Sequence, residues 1–179
     1  MCRASWSPSS SRVAIAAALL LLLLAAGCGY RLAGTWAQLP AGIRTVFVPA
    51  AGNTTVHPEL DVPVTEAFRN RLGELGFPVV AQGDADSLLL VTVQSLTDVP
   101  LSWDQAQNVL EYRLTVSTRL VLVPAGKTEP LRTNERVAVS ESYAAGATQE
   151  ETNDNRAEAL ATIATRLAAD GIERLLTGF

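Results

Sequence analysis

Apolar and polar residues alternate most strictly between Glu111 and Val123. Tyr112, Leu114, Val116, Leu120 and Leu122 fall on one side, and Glu111, Arg113, Thr115, Ser117 and Arg119 on the other. A period of two marks a strand with one buried and one polar face. Thr118 is the one small polar residue on the apolar side. At ~3.4 Å per residue the segment approaches about 40 Å, long for a small domain. Pro124–Lys127 turns the chain, and Leu131–Tyr143 returns antiparallel with Val137 and Val139 as its apolar members. Upstream, Ser87–Val99 is apolar on both faces at its centre, as expected of an inner strand. Ile43–Pro49 reads as the first strand, Ala50–Pro58 as a turn-rich connection and Pro78–Ala81 as a short strand before the turn Gln82–Asp86. Pro100–Asn108 reads as a loop that holds Trp103 and Asp104 but no Lys or Arg.

Two segments repeat at helical spacing instead. With Asp61 as N-cap and Pro63 tolerated in the first turn, Val64, Ala67, Phe68, Leu72 and Leu75 line one face, while Glu66, Arg69, Asn70 and Glu74 point away. Gly76 and Pro78 stop that helix. The last helix opens at the capping box Thr148-x-x-Glu151 or at Asn155-x-x-Glu158, and its stripe is Ala157, Leu160, Ala161, Ala164, Leu167, Ala168, Ile172 and Leu175. Gly171 inside it costs ~1 kcal/mol relative to Ala, which marks either a close contact or a frayed end. The order is β-α-β-β-β-β-α, or one strand fewer if Pro78–Ala81 merges with a neighbour. Each helix has one apolar face, so the expected fold is a two-layer α/β sandwich with both helices on one face of a mixed four- to five-stranded sheet. The polar side of the long strand is then left uncovered.

The N-terminal run Val13–Ala26 is unbroken and apolar, follows Arg3 and Arg12, and ends at Gly27-Cys28. This is the grammar of a secretory signal peptide, too short for a comfortable membrane span. The Cys after Ala-Ala-Gly resembles the bacterial lipobox, although Ala25 stands where that pattern favours Leu. The resemblance implies that Cys28 carries diacylglycerol on its thiol and an acyl group on its new amino terminus, and several chains hold a protein stably to a bilayer. The expected organisation is a signal peptide over 1–27, a lipid-anchored tether over 28–42 and one domain over 43–179. Gly29 rather than Asp after the Cys favours the outer membrane over the inner one, by resemblance to enterobacterial sorting.

Charge and composition narrow the functions available. The 14 basic residues less Arg3 and Arg12 leave 12 against 18 acids, a mature net charge of −6. That balance argues against nucleic acid as a partner and against a polybasic membrane patch. Cys2 leaves with the signal and Cys28 is consumed by lipid, so no thiol remains for a disulfide or a thiolate metal site. His57 is the one histidine, and no G-x-S-x-G occurs. Its acidic neighbours Glu59 and Asp61 lie so close in sequence that contacts at a helix start account for them. No catalytic residue, metal or cofactor is expected.

Cys28-Gly29-Tyr30-x-Leu32, Asn53-Thr54-Thr55 ahead of the first helix, and Glu111-Tyr112-x-Leu114 with Val123-Pro124 on the long strand are, in that order and spacing, similar to the lipopolysaccharide-assembly lipoprotein family (LptE-like). The resemblance implies a non-enzymatic outer-membrane lipoprotein that sits as a plug inside a large LptD-like β-barrel and assists lipopolysaccharide delivery. Arg113, Thr115, Ser117 and Arg119 are then the candidates to face the barrel. The family's association with lipid A phosphates would call for basic side chains. Here Asp104 occupies the loop where one is expected, which leaves Arg132 and Arg136, beside Arg113 and Arg119, as weak candidates for lipopolysaccharide contact. The alternative is an α/β lipoprotein that binds and regulates a periplasmic or inner-membrane cell-wall enzyme.

Overall fold

The computed structural model describes residues 42–177. The expected signal peptide, Cys28 and the tether up to residue 41 lie outside them. The elements run β1 (Val46–Phe47), β2 (Gly52–Asn53), α1 (Asp61–Glu74), β3 (Ser87–Trp103), β4 (Val109–Pro124), β5 (Arg132–Ala144) and α2 (Gln149–Thr177). Five strands form one mixed sheet in the order β1-β3-β4-β5, with β2 also on β3. β1 and β2 run parallel to β3, whereas β3, β4 and β5 are antiparallel neighbours. Both helices cover one face, the two-layer α/β arrangement expected from their single apolar stripes.

The first strand is shorter than its composition suggests, and a second piece of strand follows it. Val46 lies opposite Ser87 and Gly52 opposite Thr92, so six steps on one side match five on the other and a residue must jog out. Pro49, which has no N–H to give a ladder, falls in the jog. Helix α1 supplies the missing partners. Arg69 donates from Nε and Nη2 to the Val48 carbonyl at 3.1 and 2.8 Å, and Thr65 Oγ1 accepts the Ala51 N–H at 2.8 Å. Arg69 therefore turns back onto the sheet edge rather than into solvent. The Pro78–Ala81 strand reduces to one bridge, Val79 against Val46. Asp61 is the first helical residue rather than the cap, and its Oδ1 accepts Asn53 Nδ2 at 2.7 Å.

At the far end of α1, Gly76 takes φ +80°, and the Phe77 and Gly76 N–H groups bond the Leu72 and Gly73 carbonyls at 2.9 Å each. This is the glycine-dependent helix stop anticipated from the sequence. Thr148 caps the start of helix α2, its Oγ1 accepting the Glu151 N–H at 3.1 Å. Asn155 is instead inside the helix and bonds the Ala144 carbonyl. The α2 stripe is rotated slightly from expectation: Ala159 and Ile163 are buried, whereas Ala157 and Ala161 are exposed. Gly171 marks a close contact. A Cβ there would stand 2.5 Å from Leu120 Cδ1 and 3.3 Å from Phe68 Cε1.

The core joins Phe68 and Leu72 of α1 and Ile163, Leu167 and Ile172 of α2 to Leu89, Val91, Leu114, Val116, Leu120 and Val137 of the sheet. Thr118 sits among them, fully buried, and its hydroxyl has no hydrogen-bond partner among the described residues. An unpaired buried hydroxyl costs about 1–3 kcal/mol. Thr118→Val, close in shape but lacking that group, is expected to stabilise the domain by about 1 kcal/mol. A urea midpoint that rises at constant slope would confirm it; a fall would mean that the hydroxyl is satisfied.

Candidate functional site

The sheet face turned away from the helices is built from every second residue of β3, β4 and β5. Its cross-strand rows include Thr97–Thr115–Ser140 and Ser95–Ser117–Ala138. Hydroxyls bridge these rows: Thr115 Oγ1 lies 2.8 Å from Ser140 Oγ, and Ser117 Oγ 2.6 Å from Ser95 Oγ. Among the described residues no helix lies over this face, and small polar residues dominate its middle.

The sequence candidates on β4 divide into two groups. Arg113 is exposed and Thr115 half-buried, both on the uncovered face. Arg119 is exposed too, held by Glu135 through two hydrogen bonds of 2.9 and 3.2 Å. Ser117 departs from expectation, being only 2% exposed. The cause is local. A bulge in β3 between Val93 and Ser95 turns Ser95 onto Ser117, and the two hydroxyls satisfy each other. Ser117 thus supports the face without being reachable from it.

The four arginines do not form one cluster. β4 and β5 do pair, but Arg132 lies opposite Leu122, on the helix side of the sheet. Arg136 sits in a β5 bulge across from Arg119, and Arg113 pairs with Ser142 six residues along. Six steps of ~3.4 Å separate Arg113 from Arg119 by roughly 20 Å. A concerted phosphate site made from Arg113, Arg119, Arg132 and Arg136 is therefore ruled out by register.

Sequence reasoning missed a polar cluster that closes the core at the start of α2. Asp98 Oδ2 accepts from Tyr143 Oη at 2.8 Å and from Arg156 Nε at 3.1 Å. Arg156 also reaches Glu59 Oε1 at 3.3 Å, and His57 Nδ1 stands 3.3 Å from the same oxygen. Tyr143 stacks on Tyr112, its β4 partner, with ring centroids 5.2 Å apart. A backbone hydrogen bond, then Arg156 and His57, hold the Glu59 carboxyl below the usual range. Burial and the Asp98 carboxylate push the Tyr143 phenol up. His57 is thus engaged with the short helical turn Pro58–Leu60, and the cluster ties β3, β5 and α2 together as a clasp. Among the described residues no group of three or more His, Cys, Asp or Glu is placed to hold a metal, and no helix is long and apolar enough to cross a membrane.

The Asn53-Thr54-Thr55 motif has a similar structural use. Asn53 Nδ2 donates to the His57 carbonyl and to Asp61, Asn53 Oδ1 accepts from Thr55, and Thr54 Oγ1 bonds the Val93 carbonyl at 3.0 Å. It fixes the passage from β2 into α1 against the middle of β3.

Solved structures share this architecture at low sequence identity. A lipoprotein from Caulobacter crescentus CB15 matches with TM-score 0.55 and 15% identity over 74% of this chain and 89% of its own. A minor lipoprotein from Acinetobacter baumannii matches with TM-score 0.51 and 9% identity over 76% and 94%. Lipoprotein B from Nitrosomonas europaea matches with TM-score 0.50 and 14% identity over 83% and 88%. At such identities the likeness is one of fold. Among curated proteins none matches in sequence. The family model described as "LptE: Lipopolysaccharide-assembly" matches residues 43–175, from the residue before Arg44 at the sheet edge to the last buried leucine of α2. That span takes in both helices, every strand and the uncovered face, and on it the chain belongs to the LptE lipopolysaccharide-assembly family.

Proposed function

We propose that the protein is an outer-membrane lipoprotein, acylated at Cys28, whose domain sits as a plug inside a large LptD-like β-barrel and assists lipopolysaccharide assembly without catalysing a reaction. Membership of the lipopolysaccharide-assembly family supports the process. The observation that carries the plug reading is the uncovered sheet face. β3 has 17 residues and β4 has 16, so at ~3.3 Å each they extend about 50 Å, beyond the ~25 Å apolar band of a membrane barrel. The lumen of such a barrel is polar. A face with hydroxyls at its centre and arginines beside them matches a polar wall.

Arg113 and Arg119 are the side chains on that face best suited to lumen carboxylates, because the guanidinium offers a planar fork of donors. Replacing both with Glu places like charge against any acidic partner. The Arg113→Glu/Arg119→Glu variant should recover roughly tenfold less barrel in detergent co-purification, while its thermal melt moves little, since both the lost Arg119–Glu135 pair and the new repulsion from Glu135 lie at an exposed, screened site. Normal folding with undiminished barrel recovery would remove this face from the interface. A wild-type chain that retains no barrel, or whose depletion leaves surface lipopolysaccharide intact, would overturn the reading itself.

A further inference from the structure

We infer that the far end of the β3–β4 hairpin is a rigid prong that inserts into a cleft of the protein partner, a cleft with apolar walls and a polar floor. This rests on the barrel-plug reading and adds a second point of contact to it. The hairpin runs on past the clasp at Asp98, and no residue from Leu96 to Arg113 is buried. Yet Trp103 and Leu110 are each 51% exposed and Val99 is 42% exposed, side chains that a solvated hairpin has no need of. Two register shifts, between Pro100 and Ser102 and between Ser102 and Trp103, interrupt the ladder of this arm, as bulges that increase local twist do.

The turn at its end is locked. Asp104 Oδ1 accepts the Ala106 and Asn108 N–H groups at 2.8 Å each, and Oδ2 accepts Asn108 Nδ2 at 2.9 Å. The side-chain and backbone donors of Asn108 hold the Asp104 carboxyl below its usual range. A shape fixed in advance loses little entropy on binding, so its exposed aromatic can contribute fully.

The order of residues along the prong selects a protein over a bilayer. Its outermost residues are Asp104, Gln105, Ala106, Gln107 and Asn108, and the large apolar side chains Trp103 and Leu110 lie behind them. Entering lipid tip first would carry a charge and three amides into hydrocarbon ahead of Trp103, which is costly. No Lys or Arg lies between Val99 and Glu111 to meet anionic headgroups. A protein cleft can offer the amides hydrogen-bond partners at its floor and cover Trp103 and Leu110 with its walls.

The test uses the full-length lipoprotein expressed with its barrel. Trp103→Ala/Leu110→Ala should retain the wild-type melting temperature and recover roughly tenfold less barrel or worse, as for loss of a hot spot. In a Trp36→Phe chain Trp103 is the one tryptophan after signal removal. Anchored in phosphatidylethanolamine/phosphatidylglycerol vesicles with brominated acyl chains, its fluorescence should stay unquenched. Barrel recovered by wild type and equally by the double variant would overturn this inference alone. Quenching by the brominated chains would overturn it in favour of lipid. Failure of the wild type to recover any barrel would overturn both this and the plug reading.

Discussion

Phe68→Ala is expected to cost about 3–5 kcal/mol, a large share of the ~5–15 kcal/mol stability typical of a domain. Phe68 is fully buried, and its ring edge lies within reach of Gly171 on α2, next to Leu120 of the sheet. It is the place where α1, α2 and β4 meet. Loss of the ring leaves a void that cannot close by moving α2, because α2 is already as near to Leu120 as a glycine permits. With a urea slope of ~2 kcal/mol/M, the midpoint should drop by about 2 M. Val62→Ala on the same helix is the control: Val62 is 71% exposed, and its loss should stay within ~0.5 kcal/mol. Equal midpoints for the two variants would mean that α1 packs by another face.

Cys28→Ala is expected to abolish acyl labelling altogether. Its thiol is the one nucleophile near the cleavage position, and the only other cysteine, Cys2, lies ahead of the apolar run. Each buried methylene contributes ~0.8 kcal/mol to membrane binding, so on the proposed lipidation the variant would lose the whole anchor, not part of it. Labelling with a palmitate analogue should show a band in wild type and none in the variant, and the protein should accumulate as a precursor or in the soluble periplasmic fraction. Equal label in both would end the lipoprotein reading. Retention at the membrane without label would instead assign anchoring to the barrel.

How much of this was legible in the sequence depended on how many neighbours each residue has. α1, α2, the centre of β3 and the long β4–β5 pair are set by apolar stripes against one core, and their periods state it openly. β2 was not legible because Gly52 and Asn53 make a strand only by lying beside Thr92 and Val93. Trp103 reads as loop for the converse reason: with no described helix behind the outer hairpin there is no apolar alternation to mark it as strand. Within α2, alanines occur on several faces, so Ala157 and Ala161 carried no more information than Ala159. Ser117 lies on the face its own strand's pattern assigns it, yet its burial is not legible there, since the bulge that covers it belongs to β3. The contrast is sharpest at Arg156 and Asp98. They are 58 residues apart, and neither has a local pattern that reveals the other.

The helix side chains that complete the broken edge of β1 and β2 bear on the company this protein would keep. The barrel proposed above as partner would be, before closure, a collection of unpaired strands, and a bare sheet edge nearby would be zipped into them. On one side, Thr65 and Arg69 have already taken the backbone groups such a strand would seek. On the other, β5 carries a bulge at Glu135–Arg136 and charges along its length, which spoil a continuous ladder. On the barrel partnership proposed above, a chain built this way would lie among incomplete sheets and stay a separate molecule.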